Sequence, residues 1–160
     1  MPPRDAPWDD VVLRPVPGSV QTAPAPTALE ITRVDGCWRV TLIDSTARIE
    51  AALGSDDWTI SGKDLVPVAV LGGWDDGGAL RFDVIFLETP HRLEVRCVLD
   101  ADHGTADAGR GAAGTGAAGS GRDAPGAGRA TGTFVAAWQT APLVDRAMGL
   151  GDLRSPPGQD

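Results

Sequence analysis

The residues that could do metal or acid–base chemistry are few in this sequence and widely separated. There are two histidines, His91 and His103, and two cysteines, Cys37 and Cys97. A zinc site needs three or four Cys, His or carboxylate ligands at short spacings, and no such group occurs here. His91 follows Pro90 at a turn, where a solvated imidazole is expected and a ligand or catalytic role is the alternative. We therefore expect no metal ion and no cofactor.

Nucleophilic serine chemistry lacks its activating groups as well. A lysine three residues after a serine would be a candidate base, but only one residue separates Ser61 from Lys63. The Gly-x-Ser-x-Gly elbow is also absent, since Ser120 has Ala118 and Arg122 where the glycines should be. The chain contains no tyrosine, which removes a further general acid or base. The sequence predicts that this chain is not an enzyme by itself.

Three pairs of neighbouring aspartates, at residues 9–10, 56–57 and 75–76, each lie beside tryptophan or glycine. Aspartate in turns accepts hydrogen bonds from its own backbone, so we interpret these pairs as turn formers. A calcium loop needs a denser set of carboxylates with a closing glutamate, which is absent. Nothing in the sequence selects one pair for glycosidic acid–base chemistry.

The charge of the chain restricts its partners. Lys and Arg total 14 and Asp and Glu total 22, for a formal net charge of −8. An acidic surface repels phosphate backbones and anionic lipid, so neither nucleic acid nor a membrane is expected as a partner. The N-terminus has no apolar signal region, so a cytoplasmic location is expected. There, Cys37 and Cys97 are expected as buried free thiols, with a disulfide as the alternative.

The elements that would have to position any site are short strands. Apolar residues recur with period two, no segment shows a convincing helical period, and Asp35-Gly36 between two alternating runs indicates a hairpin. The sequence predicts an all-β fold, a small antiparallel, lipocalin-like β-barrel of about eight strands. The expected strands cover residues 28–34, 37–43, 46–53, 58–61, 66–71, 80–87, 92–99 and 133–140.

The remaining segments divide the chain into a barrel and its appendages. Residues 1–26 are rich in proline and are expected to form a disordered linker, although Trp8–Leu13 is a candidate docking strand. The barrel domain spans residues 27–143, interrupted by a Gly/Ala-rich loop at 101–131 that should be disordered. Residues 144–160 are expected to form a C-terminal tail, with one or two helical turns near 144–150 as the alternative.

Five tryptophans and three phenylalanines are many large rings for a small barrel. Most should lie in the core, because many fall on the alternating apolar faces. The alternative is that some line a ligand-sized cavity at the barrel mouth. Sequence alone does not separate a filled barrel from a hollow one, so a free-standing barrel that binds a small apolar ligand is retained as an alternative function.

The strand pair joined by Glu88-Thr89-Pro90 resembles part of a known family. Residues 86–93, Phe-Leu-Glu-Thr-Pro-His-Arg-Leu, resemble the late strands of the C-terminal accessory β-barrel domain of class C β-lactamase-related, penicillin-binding-protein-like serine hydrolases. In order along the chain, other segments have counterparts in that domain and in the linker before it: 13–18, Asp35-Gly36, Asp57-Trp58 and 69–74. The resemblance covers roughly residues 8–143.

The resemblance implies an accessory domain without catalytic residues. In that family the catalytic serine and lysine, the tyrosine base and the closing Lys/His-x-Gly motif lie in the preceding catalytic domain, and none can be placed on this sequence. The expected partner is such a catalytic domain, with the turn Glu88, Thr89, Pro90 and His91 bordering its substrate cleft. Ile85 and Leu87 make the second half of their strand apolar on both faces, so they are the expected docking side.

Overall fold

The computed structural model describes residues 8–18, 24–62, 66–100, 129–140 and 149–153. Within these ranges the chain forms one sheet of nine strands, in the order β4-β3-β2-β1-β9-β8-β7-β6-β5, that curls into a nearly closed barrel. Neighbouring strands are antiparallel except β1 and β9, which are parallel. The strands are β1 (Asp10–Pro15), β2 (Ala28–Val34), β3 (Cys37–Ile43), β4 (Arg48–Ala52), β5 (Thr59–Ser61), β6 (Val68–Trp74), β7 (Leu80–Phe86), β8 (Arg92–Leu99) and β9 (Ala130–Thr140).

The barrel closes where its two edge strands, β4 and β5, approach each other. The backbone N–H of Ala52 at the end of β4 donates to the hydroxyl of Ser61 in β5, at 3.1 Å. Just beyond β4, Gly54 forms a bridge to Leu71, and its carbonyl accepts from the N–H of Gly72 at 2.8 Å. A side chain at Gly54 would collide with the backbone, since an added Cβ would lie 2.0 Å from the Asp57 carbonyl oxygen. Closure is therefore local and sparse in comparison with the other strand pairs.

The barrel interior is built from the period-two pattern. In β7, Leu80, Phe82, Val84 and Phe86 all point inward and are almost fully buried, while the residues between them face outward. The other strands contribute alternating aliphatic residues to the same buried cluster. The Asp35-Gly36 hairpin is confirmed: both residues have positive φ, 51° and 80°, as a tight two-residue turn requires. The predicted all-β barrel is thus confirmed, with nine strands instead of about eight and with one parallel pair, β1 and β9.

The additional strand, β1, overlaps the candidate docking strand Trp8–Leu13, inside the segment otherwise expected to be a disordered linker. β1 pairs with β2 on one side and with β9 on the other, and both Val11 and Leu13 are fully buried. Residues 8–14 contain no proline, so this segment can pair with β2 and β9 as a strand. Its two inward apolar side chains, Val11 and Leu13, then suffice to anchor it in the barrel. The linker prediction is corrected for residues 10–15, whereas residues 1–7 and 19–23 lie outside the described ranges.

The C-terminal tail prediction also needs correction. Gly149–Leu153 forms a turn that includes a 3-10 helix, Leu150–Asp152, and buries Leu150 and Leu153 in the core cluster. The carboxylate of Asp44, in the β3–β4 turn, accepts the N–H of Leu150 at 2.6 Å. A short helical turn was the alternative expected nearby; residues 141–148 and 154–160 lie outside the description. Residues 101–128 of the expected Gly/Ala-rich loop also lie outside the description. The loop was expected to extend to residue 131, but β9 already begins at Ala130.

Both cysteines are free, but they differ in environment. Cys97 is buried in β8, and this burial raises the pKa of its thiol, which keeps the thiol protonated and unreactive. Cys37 is exposed beside the Asp35-Gly36 turn, so the expectation that both thiols are buried is wrong for Cys37. Among the described segments, no helix is long and apolar enough to cross a bilayer.

Candidate docking surface

The six residues expected at a docking surface lie at the end of β7 and in the turn to β8. Ile85 is the outward-facing residue between the buried Val84 and Phe86. Leu87 begins the turn, and its side chain is 45% exposed. The other four expected residues follow directly, with Glu88 and Pro90 exposed and Thr89 and His91 half-buried. The structure therefore places all six on one continuous segment at the barrel surface.

Backbone hydrogen bonds hold this turn in place. The N–H of Phe86 donates to the His91 carbonyl at 3.0 Å, and the N–H of Thr89 donates to the Phe86 carbonyl at 3.3 Å. The N–H of Leu87 donates to the Pro67 carbonyl at 3.0 Å, which ties the turn to the start of β6. The turn and the outer face of β6 and β7 are consequently one structural unit.

Two side-chain atoms in the turn are buried without a hydrogen-bond partner, Thr89 Oγ1 and His91 Nδ1. The His91 ring lies edge-on to Trp138, with 6.2 Å between ring centroids, and Trp138 lies 5.7 Å from Phe86. The indole N–H of Trp138 donates to the Pro24 carbonyl at 2.8 Å. His91 is therefore part of an aromatic group at this end of the barrel. In the described part of the chain no group of three His, Cys, Asp or Glu could hold a metal ion.

Part of the outer face of β5, β6 and β7 is apolar. Cross-strand pairing aligns Ile60, Ala69 and Ile85 in one outward-facing row across the three strands. Ile60 is 56% exposed, whereas Ala69 is only 5% exposed. Further large apolar residues lie beside this row. We call the set the outer patch: Trp58, Ile60, Leu71, Ile85 and Leu87.

Sequence reasoning found only Ile85 and Leu87 of the outer patch. Trp58 was counted among tryptophans that are mostly core, yet it is 41% exposed. The sequence feature that could have indicated this surface is the alternation of the apolar Trp58 and Ile60 at the start of a very short strand. It was not sufficient, because the cross-strand register that aligns Ile60 with Ile85 depends on β6 lying between them.

Acidic residues adjoin members of the outer patch in the sequence. Asp56 and Asp57 directly precede Trp58, and Glu88 directly follows Leu87. On β7 and β8, the carboxylate of Asp83 accepts two hydrogen bonds from the Arg92 guanidinium, at 3.2 and 3.0 Å. These bonds and the charge of Asp83 raise the pKa of Arg92, so the two charges offset each other. The Asp83–Arg92 pair is thus internally neutral.

The two ends of the barrel are each covered by aromatic rings. At the end opposite the β7–β8 turn, Trp74 lies 5.9 Å from Trp8 and 4.9 Å from Trp38, centroid to centroid. The guanidinium of Arg33 lies 5.3 Å from the Trp38 ring centre. A separate groove of about 550 Å³, lined by Arg14, Arg129 and Thr133 among others, lies beside β1 and β9.

Comparison of the chain with models of known protein families, with curated protein sequences and with solved structures finds no match in any of the three.

Proposed function

We propose that this chain is a non-catalytic accessory β-barrel that docks on the catalytic domain of a β-lactamase-related serine hydrolase and shapes its substrate cleft. One observation carries the proposal. Ile85 and Leu87, expected as the docking side because they make the end of their strand apolar on both faces, lie on the outer surface of the barrel beside the exposed Ile60. Exposed patches of several large apolar side chains on a soluble protein mark interaction sites.

The position of the β7–β8 turn supports the second part of the proposal. The Leu87–Pro67 hydrogen bond fixes the turn beside the outer patch, so a domain docked on the patch lies next to Glu88–His91.

The buried cluster inside the barrel favours docking over the alternative, a barrel that binds a small apolar ligand inside. Such a ligand site needs a concave, largely preformed cavity of several hundred Å³. Here the inward side chains of the described strands contact one another in one buried cluster, and aromatic rings pack together near both ends. The apolar surface that remains accessible lies on the outside of the barrel.

A capture experiment with an active-site label tests the proposed function. The tagged chain is incubated with lysate of the source organism, and retained proteins are treated with a fluorescent fluorophosphonate, which reacts with activated serines. We expect one labelled protein in roughly equimolar amount, with Ser-x-x-Lys and Tyr-x-Asn motifs identified by mass spectrometry. The control is a Phe86→Asp variant, in which a charge in the core should unfold the barrel.

Two results would overturn the proposed function. One is recovery of the folded chain without any labelled protein. The other is equal retention of the labelled protein by the unfolded control, since that would indicate adhesion to exposed apolar chain instead of docking on a folded surface.

A further inference from the structure

We infer that the groove beside β1 and β9 binds a small zwitterion, a molecule with a carboxylate at one end, an ammonium group at the other and an apolar stretch between them. Arg14 holds the carboxylate and Asp100 holds the ammonium group. This inference goes beyond the accessory role and does not depend on it, because none of the residues that line the groove belongs to the outer patch.

The groove has the size and the lining of a small-molecule site. Its volume is about 550 Å³, whereas pockets that hold small ligands typically measure about 300–1,000 Å³. Val12, Pro15 and Pro17 contribute apolar surface to the groove. Arg14 and Asp100 are among the charged side chains of its lining. Apolar walls with a few charged groups favour a ligand that has an apolar body and charged ends.

The strand pairing places these two charged residues on opposite sides of β9. Arg14 of β1 lies opposite Thr133 in the parallel pair. Asp100, directly after β8, is tied to Thr131: its N–H donates to the Thr131 carbonyl at 3.0 Å, and its carboxylate accepts from the Thr131 hydroxyl at 2.8 Å. The backbones of Arg14 and Asp100 are therefore offset by roughly 7 Å along β9 and by about 10 Å, two strand spacings, across it. A ligand that reaches both residues lies obliquely over β9.

The other charged groups beside the groove compensate one another. Arg129 also lines the groove, but its Nε donates to Asp10 at 2.6 Å and its Nη1 lies 3.6 Å from Glu30. The Glu30 carboxylate in turn accepts from Arg48 at 2.6 Å. Two arginines and two carboxylates thus form a neutral network. Because its charges are already paired, this network selects neither an anion nor a cation.

Arg14 and Asp100 differ from this network, because their charges are not compensated. Within the described ranges neither residue forms an ion pair, and the side-chain partner of Asp100 is the neutral hydroxyl of Thr131. Both residues are exposed, so a ligand can reach them from solvent. A guanidinium and a carboxylate without counter-charges gain most from a ligand that supplies both signs. A ligand of one sign satisfies only one of the two groups.

Three probes with the same six-carbon chain test the inference on the purified chain. The zwitterion 6-aminohexanoate carries both charges, hexanoate carries only the carboxylate, and hexylamine carries only the ammonium group. Each probe is titrated into the ¹⁵N-labelled chain, and amide chemical shifts give its Kd. We expect 6-aminohexanoate to shift amides of β1 and β9 saturably, with a Kd about threefold to tenfold lower than that of either analogue.

Substitutions at the two ends assign each charge. Arg14→Gln should abolish the advantage of 6-aminohexanoate over hexylamine, and Asp100→Asn should abolish its advantage over hexanoate. Arg96→Gln is the matched control for Arg14, because Arg96 is exposed on the outer face of β8 and does not line the groove. Asp76→Asn, at an exposed aspartate of the β6–β7 turn, is the control for Asp100. Both controls should change Kd by less than about twofold. Circular dichroism verifies that each variant folds.

The outcomes are independent of the proposed function, because every measurement uses this chain alone. The inference is wrong if 6-aminohexanoate gives no saturable shift at β1 and β9, or if either analogue binds as tightly. This comparison of probes on the wild type decides the question even where a variant does not fold. Equal weakening by Arg14→Gln and Arg96→Gln would indicate general attraction between charges and would also overturn the inference.

A second copy of the chain is the competing occupant of the groove. Sedimentation of the chain alone should give a monomer of 16.5 kDa. A dimer that Arg14→Gln dissociates and Arg96→Gln does not would show that Arg14 binds a carboxylate of another copy, and the inference would then be overturned.

Discussion

Trp8 and Trp58 have similar local sequences and opposite environments. Each adjoins a pair of aspartates and lies just before a short strand, yet Trp8 is 1% exposed and Trp58 is 41% exposed. The strand after Trp8, β1, lies in the middle of the sheet with partners on both sides. The strand after Trp58, β5, is an edge strand of three residues. Position within the sheet, and not local composition, decides which tryptophan is buried.

This difference assigns separate roles to the two regions. Trp8 packs against Trp74 at one end of the barrel and contributes to folding. Trp58 belongs to the outer patch and, under the proposed function, contributes to binding. Substitutions in the two regions should therefore change different measured quantities.

The largest effect should come from Trp8→Ala. Removing a fully buried tryptophan leaves a cavity, and we expect the free energy of unfolding to fall by about 3–5 kcal/mol. Urea denaturation followed by circular dichroism measures this change. A loss below about 1 kcal/mol would mean that Trp8 is not part of the core and would remove the contrast with Trp58.

Gly132→Ala should have the next largest effect, because β9 passes close to β8 and to Leu13 of β1. An added Cβ would lie 2.3 Å from the Val98 carbonyl oxygen and 2.7 Å from Leu13 Cδ2. We expect a loss of about 1–3 kcal/mol in urea denaturation. Gly73→Ala in β6 is the matched control, since nothing lies within 4 Å of its added Cβ and it should be neutral or stabilising. Equal losses in both variants would contradict the close packing around β1.

Asp44→Asn should have a smaller effect that depends on pH. Partial burial opposes ionisation of Asp44, but hydrogen bonds from the backbone of Leu150, from the Thr46 hydroxyl and from the β3–β4 turn outweigh it, so its pKa lies below the usual value. The side-chain amide of the variant would direct its own N–H groups toward the backbone N–H of Leu150, so that two donors would face each other. We expect a loss of about 1–2 kcal/mol at pH 7.

The sign of the pH dependence follows from the lowered pKa. Because the unfolded chain binds a proton at Asp44 more readily than the folded chain, the stabilisation is complete above the usual carboxyl pKa and is lost as pH falls through the folded pKa. The difference in stability between wild type and Asp44→Asn should therefore shrink between pH 7 and pH 3. A difference that stays constant over this range would show that the Asp44 charge does not hold the C-terminal turn.

The smallest effect on stability should come from Trp58→Ala. An exposed side chain outside the core usually changes stability by no more than about 0.5 kcal/mol. Acrylamide quenching gives a second measurement: the fraction of tryptophan fluorescence that is readily quenched should drop, since the other described tryptophans are buried or half-buried. If quenching is unchanged, Trp58 is covered in solution and the outer patch is not available to a partner.

The accuracy of sequence reasoning differed between elements for physical reasons. The β2–β3 hairpin and the β7–β8 pair could be predicted closely, because their alternation and turn residues are local signals. β1 was predicted only as a candidate docking strand, Trp8–Leu13, and not as part of the barrel, since the surrounding prolines resemble those of a linker. The turn at Gly149–Leu153 was missed because its burial depends on Asp44 and Thr46, more than a hundred residues earlier in the chain.

The sequence by itself determined the all-β class, the alternation that fills the barrel, and the placement of Ile85 and Leu87 on an outward apolar surface. These properties follow from the period of side-chain direction along a strand, which is local. Only the tertiary structure decided that β1 pairs with both β2 and β9, and that Trp58 and Ile60 join Ile85 on one face. Those relationships depend on strand order and register, which are set by contacts between residues far apart in the chain.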